Sequence, residues 1–169
     1  MNYHLLRIRV YNLLFCLVLI FSTFRSGAQL YKVEFDEKIQ NASLIAEGEV
    51  VDQKSFWNDS HTMIFTSNTI EVYKTFKGSV LEKTIEVVTE GGSVGSNYVD
   101  VSDVLKLVKG NIGIFFCTPN TINLKSPFTR KNLFTVYSDD QGFLRYNKNQ
   151  NTAYAPFSSY EKIESNLYN

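Results

Sequence analysis

The chain has 169 residues, its 17 Lys and Arg are balanced by 17 Asp and Glu, and 44% of it is hydrophobic. That length suits one domain able to enclose a core behind a short leader. The basic residues form no cluster, so nothing tracks a phosphate backbone and nucleic acid is excluded as a partner; no basic amphipathic stretch suits a membrane surface either.

Met1–Arg9 carries Arg7 and Arg9 and no acid, and Leu13–Phe21 is an unbroken apolar run. Ser26-Gly27-Ala28 then sets small side chains just before Gln29. A charged start, an apolar middle and a small-residue exit make a secretory signal peptide over residues 1–28, cleaved after Ala28. Nine apolar residues are too few to span a bilayer, which takes about 20, so no stable membrane insertion is expected. The sequence predicts a secreted or periplasmic domain over residues 29–169. Losing Arg7, Arg9 and Arg25 with the leader turns a neutral chain mildly acidic. Cys16 leaves with the leader, so Cys117 is alone and no internal disulfide is expected.

Phe35–Ala42 spaces Phe35, Ile39 and Ala42 at helical intervals and predicts a short amphipathic helix across the end of a sheet. From Leu44 the period becomes two. Leu44–Trp57 predicts a strand in which Gly48 marks a bulge or a close backbone approach. Asn58-Asp59-Ser60 is turn chemistry. His61–Phe76 is the longest predicted strand, rich in Thr, Ile, Val and aromatics. Its alternation is broken, which a bulge near Ser67-Asn68 or a bend between two sides of a barrel would repair.

Thr84–Glu90 predicts a third strand, with Ile85 and Val87 inward and Glu86 and Glu90 outward. Gly91-Gly92 breaks it, and Val94–Val101 resumes after a turn. Ile112–Cys117 is apolar on both parities, as a strand covered on both faces would be. Thr118–Lys131, with Pro119 and Pro127, predicts a long loop. Leu133–Tyr137 and Phe143–Tyr146 bracket Ser138–Gly142 as a hairpin would. Tyr160, Ile163 and Leu167 share one helical face, predicting a closing helix over Ser158–Leu167. The whole points to a mostly β fold: a closed or partly closed β-barrel with short flanking helices, whose closure removes strand edges.

Four stretches in this order resemble a known family: Ile45–Trp57, Thr69–Gly78, Ile85–Gly95 and Leu107–Phe116, followed by Gln141–Phe157. The chain is similar to the N-terminal β-barrel domain of large secreted proteins of Gram-negative bacteria. There the domain precedes fibronectin type III-like sandwiches, sometimes a metalloprotease domain, and a type IX sorting region. Such barrels resemble the oligonucleotide/oligosaccharide-binding (OB-like) and netrin-like folds. The resemblance implies an accessory domain of the bacterial envelope or extracellular space and transfers no catalytic residue. Sandwich and sorting region are missing before Asn169, so a stand-alone or shortened member is expected. The cysteine-bearing mature N-terminus of netrin-like inhibitors is also missing.

The candidate chemistries are few. His61 is the one histidine left after processing, so a metal centre built on several imidazoles is not expected, and no G-x-S-x-G elbow provides a serine nucleophile. Cys117 with His61 would make a thiolate pair, but Cys117 ends an Ile-Phe-Phe run and is expected to be a buried structural thiol. Glu47 and Glu49 project in parallel from one strand face, a poor way to flank a sugar, and are expected on a solvated exterior. Asp139-Asp140 lacks the oxygen spacing of a calcium loop. No metal or cofactor is therefore expected. Trp57, the single tryptophan, and Tyr98 are the candidate binding residues at a barrel rim. The expectation is a non-catalytic domain, not an enzyme, binding a protein or glycan partner. The alternatives are a protease-regulating module, as inhibitor or prosegment, and, disfavoured, a hydrolase.

Overall fold

The computed structural model describes residues 31–128 and 133–161, and the compact unit that begins at Lys32 holds the fold. The signal peptide expected over residues 1–28 lies outside the described residues.

Among the described residues, ten strands and one α-helix make a mostly β architecture. Helix α1 is Phe35–Asn41. The strands are β1 Leu44–Trp57, β2 Ile64–Lys77, β3 Thr84–Glu90, β4 Gly92–Val94, β5 Asn97–Val99, β6 Ile112–Pro119, β7 Leu133–Val136, β8 Phe143–Asn147, β9 Thr152–Ala155 and β10 Ser158–Glu161. β1, β2, β3, β7 and β6 pair in that order, and β6 pairs back onto β1. The result is a ring of five strands, a partly closed barrel. β3 and β7 are parallel, through Glu86↔Leu133 and Val87↔Phe134. The other ring pairings are antiparallel. β8, β9 and β10 extend the sheet as an arm outside the ring, and β4 and β5 form a separate hairpin.

Strand β1 reaches both neighbours because it bends. Its register against β2 slips at Ile45/Ala46, Glu47/Gly48 and Val50/Asp52, and each slip adds twist. Gly48 stands opposite Gly113 of β6. A Cβ on Gly48 would collide with the Glu71 carbonyl, and one on Gly113 with the Leu144 carbonyl. The two glycines let backbones approach where the ring curves most tightly, which answers the bulge or close approach expected at Gly48. No slip occurs at Ser67-Asn68; the slips leave Phe76 and Tyr73 of β2 and Val51 of β1 as the extra residues.

The interior is filled by Leu44, Ala46 and Val50 from β1, Ile70 from β2, Ile85 and Val87 from β3, and Phe115 and Cys117 from β6. Phe115 stacks on Phe143 with ring centroids 4.4 Å apart, worth about 0.5–1.5 kcal/mol beyond the area both bury. Leu105 and Leu107, from the segment between β5 and β6, fold into the same core. Two smaller clusters lie outside the ring. Ile45, Phe116, Leu144 and Ala153 pack under Ala42 at the end of α1. Phe65 and Val88 pack under Leu124 of the β6–β7 loop. β2 is thus covered on both faces at Phe65, which accounts for its broken alternation.

Three expectations are corrected. Leu133–Tyr137 and Phe143–Tyr146 do not form a hairpin. β7 and β8 run in line along β6, pairing with its second and first halves respectively. Asp139–Gly142 is a 3-10 turn looping out between them, entered through Ser138 at φ +57. Ser158–Glu161 is a strand, not the start of a closing helix, because the hairpin partner β9 is next to it; residues 162–169 lie outside the described residues. Helix α1 exposes Phe35 and Ile39 and buries Lys38, the reverse of the expected face. Its last carbonyls, of Ile39 and Gln40, accept bonds from the Lys77 ammonium at 2.6 and 3.0 Å, which holds the helix C-terminus onto the end of β2.

Gly113→Ala forces a methyl into the Leu144 carbonyl and the Phe143 ring. It is expected to lower unfolding free energy by about 1–3 kcal/mol, read by urea denaturation. An unchanged midpoint would show that the strands do not meet as closely as described.

Candidate functional site

The end of the ring at the β1–β2 turn gathers the residues that composition singles out. Trp57 closes β1 and pairs with Ile64. The turn is locked by Asn58, whose Oδ1 accepts the amides of Thr62 and Met63 at 2.9 and 3.1 Å. His61 sits there at φ +54, with its amide bonded to the Asn58 carbonyl and its ring 5.9 Å from the Trp57 ring. Trp57 is half-buried, with His61 packed against it.

A second element is bound to the same end. After β3 the chain folds back at Gly91-Gly92. Gly92 has φ +131, and a Cβ there would strike the hydroxyls of Ser55 and Thr66, so only glycine fits. The bend lays the β4–β5 hairpin against β1, where the Ser93 amide donates to Ser55 Oγ at 3.3 Å. Tyr98 pairs with Ser93, whose amide reaches Ser55, two residues before Trp57 in β1, and stands 68% exposed. The fold-back thus sets the hairpin that bears Tyr98 against the half of β1 that ends in Trp57.

Between them the inward residues are polar. Ser55 and Thr66 hydroxyls lie 2.9 Å apart, and Thr66 donates to the Gly91 carbonyl at 2.7 Å. Gln53 Nε2 donates to Asn68 Oδ1 and to the Leu107 carbonyl, and Asn68 Nδ2 donates to the Val87 carbonyl and to Thr89 Oγ1. This network floors the mouth of the ring and fixes the hairpin and the Leu107 segment on it. Sequence reasoning missed these residues. Their one signal was the polar run Thr66–Thr69 inside an otherwise apolar strand.

The remaining candidates lie apart from this end. Cys117 is fully buried and pairs with Leu44 at the start of β1, whereas His61 follows the end of β1. Burial alone pushes the Cys117 thiol up to about 12. Glu47 is not on a solvated exterior. It is buried because Tyr146 of β8 closes over it and donates to Oε1 at 2.8 Å. Burial and then this bond raise the Tyr146 hydroxyl above its ordinary range. Glu49 accepts the Tyr73 hydroxyl at 2.6 Å; burial and then that bond hold Tyr73 up at about 12. Glu86 points out of the ring yet is also fully buried, because Ser126 of the β6–β7 loop and Ser67 both donate to its Oε1. The carboxyl of Asp139, in the 3-10 turn, is raised by desolvation and then by the Asp140 charge.

A cleft beside the β6–β7 loop, lined by Phe65, Glu90, Asn120 and Asp139 among others, holds about 70 Å³. That is room for a few waters, well short of the ~300 Å³ at which small-molecule pockets begin. Among the described residues no group of three or more His, Cys, Asp or Glu is placed to hold a metal ion, and no helix is long and apolar enough to cross a membrane. Set against protein-family models, curated proteins and solved structures, the chain matches none of them.

Iodoacetamide at mildly alkaline pH should leave Cys117 of the folded protein unmodified and label it once denaturant is added; labelling of the native state would contradict its burial. The folded thiol titrates above its ordinary value of 9.0. Its contribution to stability is therefore whole below pH 9.0 and is lost as pH climbs toward about 12.

Proposed function

We propose that this chain is an exported, non-catalytic binding domain that contacts a protein or glycan partner through the end of the ring carrying Trp57 and Tyr98. The observation that carries the reading is Tyr98: a large aromatic, 68% exposed, on a hairpin fixed by Gly92 and Ser55 beside the only tryptophan. Rigidly held aromatics are the side chains that give most contact energy for least ordering cost. The polar floor of Gln53, Ser55, Thr66, Asn68 and Thr89 holds both aromatic elements in fixed relation, so binding does not have to order them.

The strand order around the ring, with its single parallel pair β3–β7 and a long connection before β7, supports an OB-like barrel, a fold that binds chain-like ligands on its surface and loops. The likeness is one of architecture, and function rests on the rim. Export through a signal peptide cleaved after Ala28, and kinship with the N-terminal barrel domains of secreted Gram-negative proteins, are supported by the leader pattern and by the order of the matching stretches. The absence of a disulfide is compatible with this address, because the core is dense enough to replace one.

The test is an array of extracellular glycans and proteins probed with the purified domain and with Trp57→Ala and Tyr98→Ala. Each variant should keep its melting temperature within a few degrees and lose about tenfold or more in affinity for whatever the parent binds. Binding untouched by both variants, inhibition of a metalloprotease in place of binding, or turnover of ester, peptide or glycoside substrates would overturn the reading.

A further inference from the structure

Ring closure hides strand edges over the first half of β1, but among the described residues β1 beyond Val50 pairs only with β2, and the far end of the sheet is open at β10. Among the described residues every strand of the eight-stranded sheet except β10 has neighbours on both sides over part of its length, and β10 pairs only with β9. Monomeric proteins guard such an edge with lysine, proline, a bulge or a covering element. Ser158-Ser159-Tyr160-Glu161 contains no lysine or proline and pairs with β9 without a slip.

The edge is also framed by uncovered apolar side chains. Tyr160 meets Phe35 with ring centroids 6.0 Å apart, and Phe35 in turn meets Phe116. Phe35, Ile39, Phe157 and Tyr160 are 41%, 38%, 56% and 38% exposed. Phe157 turns the β9–β10 hairpin behind Pro156 and is held at φ +66. That position, directly after proline in a tight turn, ordinarily takes glycine. A bulky ring kept there at a conformational cost, facing solvent beside an open edge, is strain retained at a contact point.

We propose that the β10 edge and its aromatic surround form a two-fold interface with a second copy of this chain. A strand edge is satisfied by another strand, and a second copy brings an identical edge, so antiparallel pairing closes both at once. With Ser159 opposite the partner's Tyr160, the two four-residue strands pair over their whole length. The uncovered parts of the four apolar side chains come to about 350 Å² per copy on the usual size of such side chains. With the strand edge itself, two copies together bury about 1,000 Å², the size at which specific interfaces begin. The face is also remote from the rim. Phe116, under Phe35, pairs with Ile45 at the start of β1, whereas Trp57 ends that strand. The dimer therefore leaves two Trp57–Tyr98 ends free, a bivalent arrangement, and does not depend on what those ends bind.

Sedimentation velocity of the purified chain over a concentration series tests this, alongside Ser159→Lys and Phe157→Gly. The parent should sediment as a dimer. Ser159→Lys places a guarding charge on an exposed edge position and should weaken dimerisation about tenfold or more while the melting temperature of the monomer stays the same. Phe157→Gly relieves the positive φ while removing the ring, so it should weaken the dimer and raise the thermal midpoint of the monomer. A parent that stays monomeric throughout, or a dimer that neither variant weakens, would overturn the proposal; a monomer that pairs instead with an added extended peptide would do the same.

Discussion

Strand β1 is the constraint on which the rest of the molecule depends. It is the only strand that is paired over its whole length with β2 on one edge and, over its first half, with β6 on the other. A flat strand cannot serve two neighbours that curve toward each other. Three register slips, and the close approach of Gly48 to the Glu71 carbonyl of β2 and of Gly113 to the Leu144 carbonyl of β8, allow the curvature, and the ring closes around Phe115, Val50, Ile70 and Val87. The far half of β1, beyond the Val50/Asp52 slip, leaves β6 and continues as the edge of a three-stranded arm with β2 and β3. That arm ends in the locked turn bearing Trp57 and His61.

The same geometry explains where polar groups are buried. Inward positions in the ring's middle are apolar, but toward the arm they become Gln53, Ser55, Thr66 and Asn68, because backbone elements rather than side chains close that mouth. The Leu107 carbonyl and the Gly91 bend need partners, and amides and hydroxyls provide them at the cost of two or three polar residues in a strand. Outside the ring the logic is similar. Glu47 and Glu86 leave the interior by strand parity and are then covered by β8 and by the β6–β7 loop, each meeting hydroxyl donors there. Glu47 accepts the Tyr146 hydroxyl on Oε1, whereas Glu86 takes both serine hydroxyls on Oε1 and keeps a buried Oε2 with no hydrogen-bond partner among the described residues.

Much of this was legible in the residues. Period-two patterns placed β1 and β3 with their observed bounds, and the apolar run Ile112–Cys117 announced the strand that is covered on both faces. Cys117 lies where its neighbours said it would, in the core. What failed depended on which elements become neighbours. Period two does not say whether two short strands pair with each other or lie in line on a third, so β7 and β8 looked like a hairpin. Helical spacing does not say which stripe meets the sheet, so α1 was expected to bury Phe35 and Ile39. Strand parity places Glu47 outside the ring but cannot show that Tyr146, 99 residues later, covers it. Trp57 and Tyr98 were visible as residue types; the Gly91-Gly92 fold-back that sets the Tyr98 hairpin against Ser55 of β1 was, in sequence, only a break.

The claim most exposed to a single measurement is ring closure itself, which rests on the short parallel contact of β3 with β7 and on β6 returning to β1. Solution NMR of the labelled domain should give backbone cross-strand contacts between Gly48 and Gly113 and between Val87 and Phe134 in the same species. Contacts that stop at β1, β2 and β3, with β6 and β7 in contact only with each other, would mean an open sheet in place of a ring.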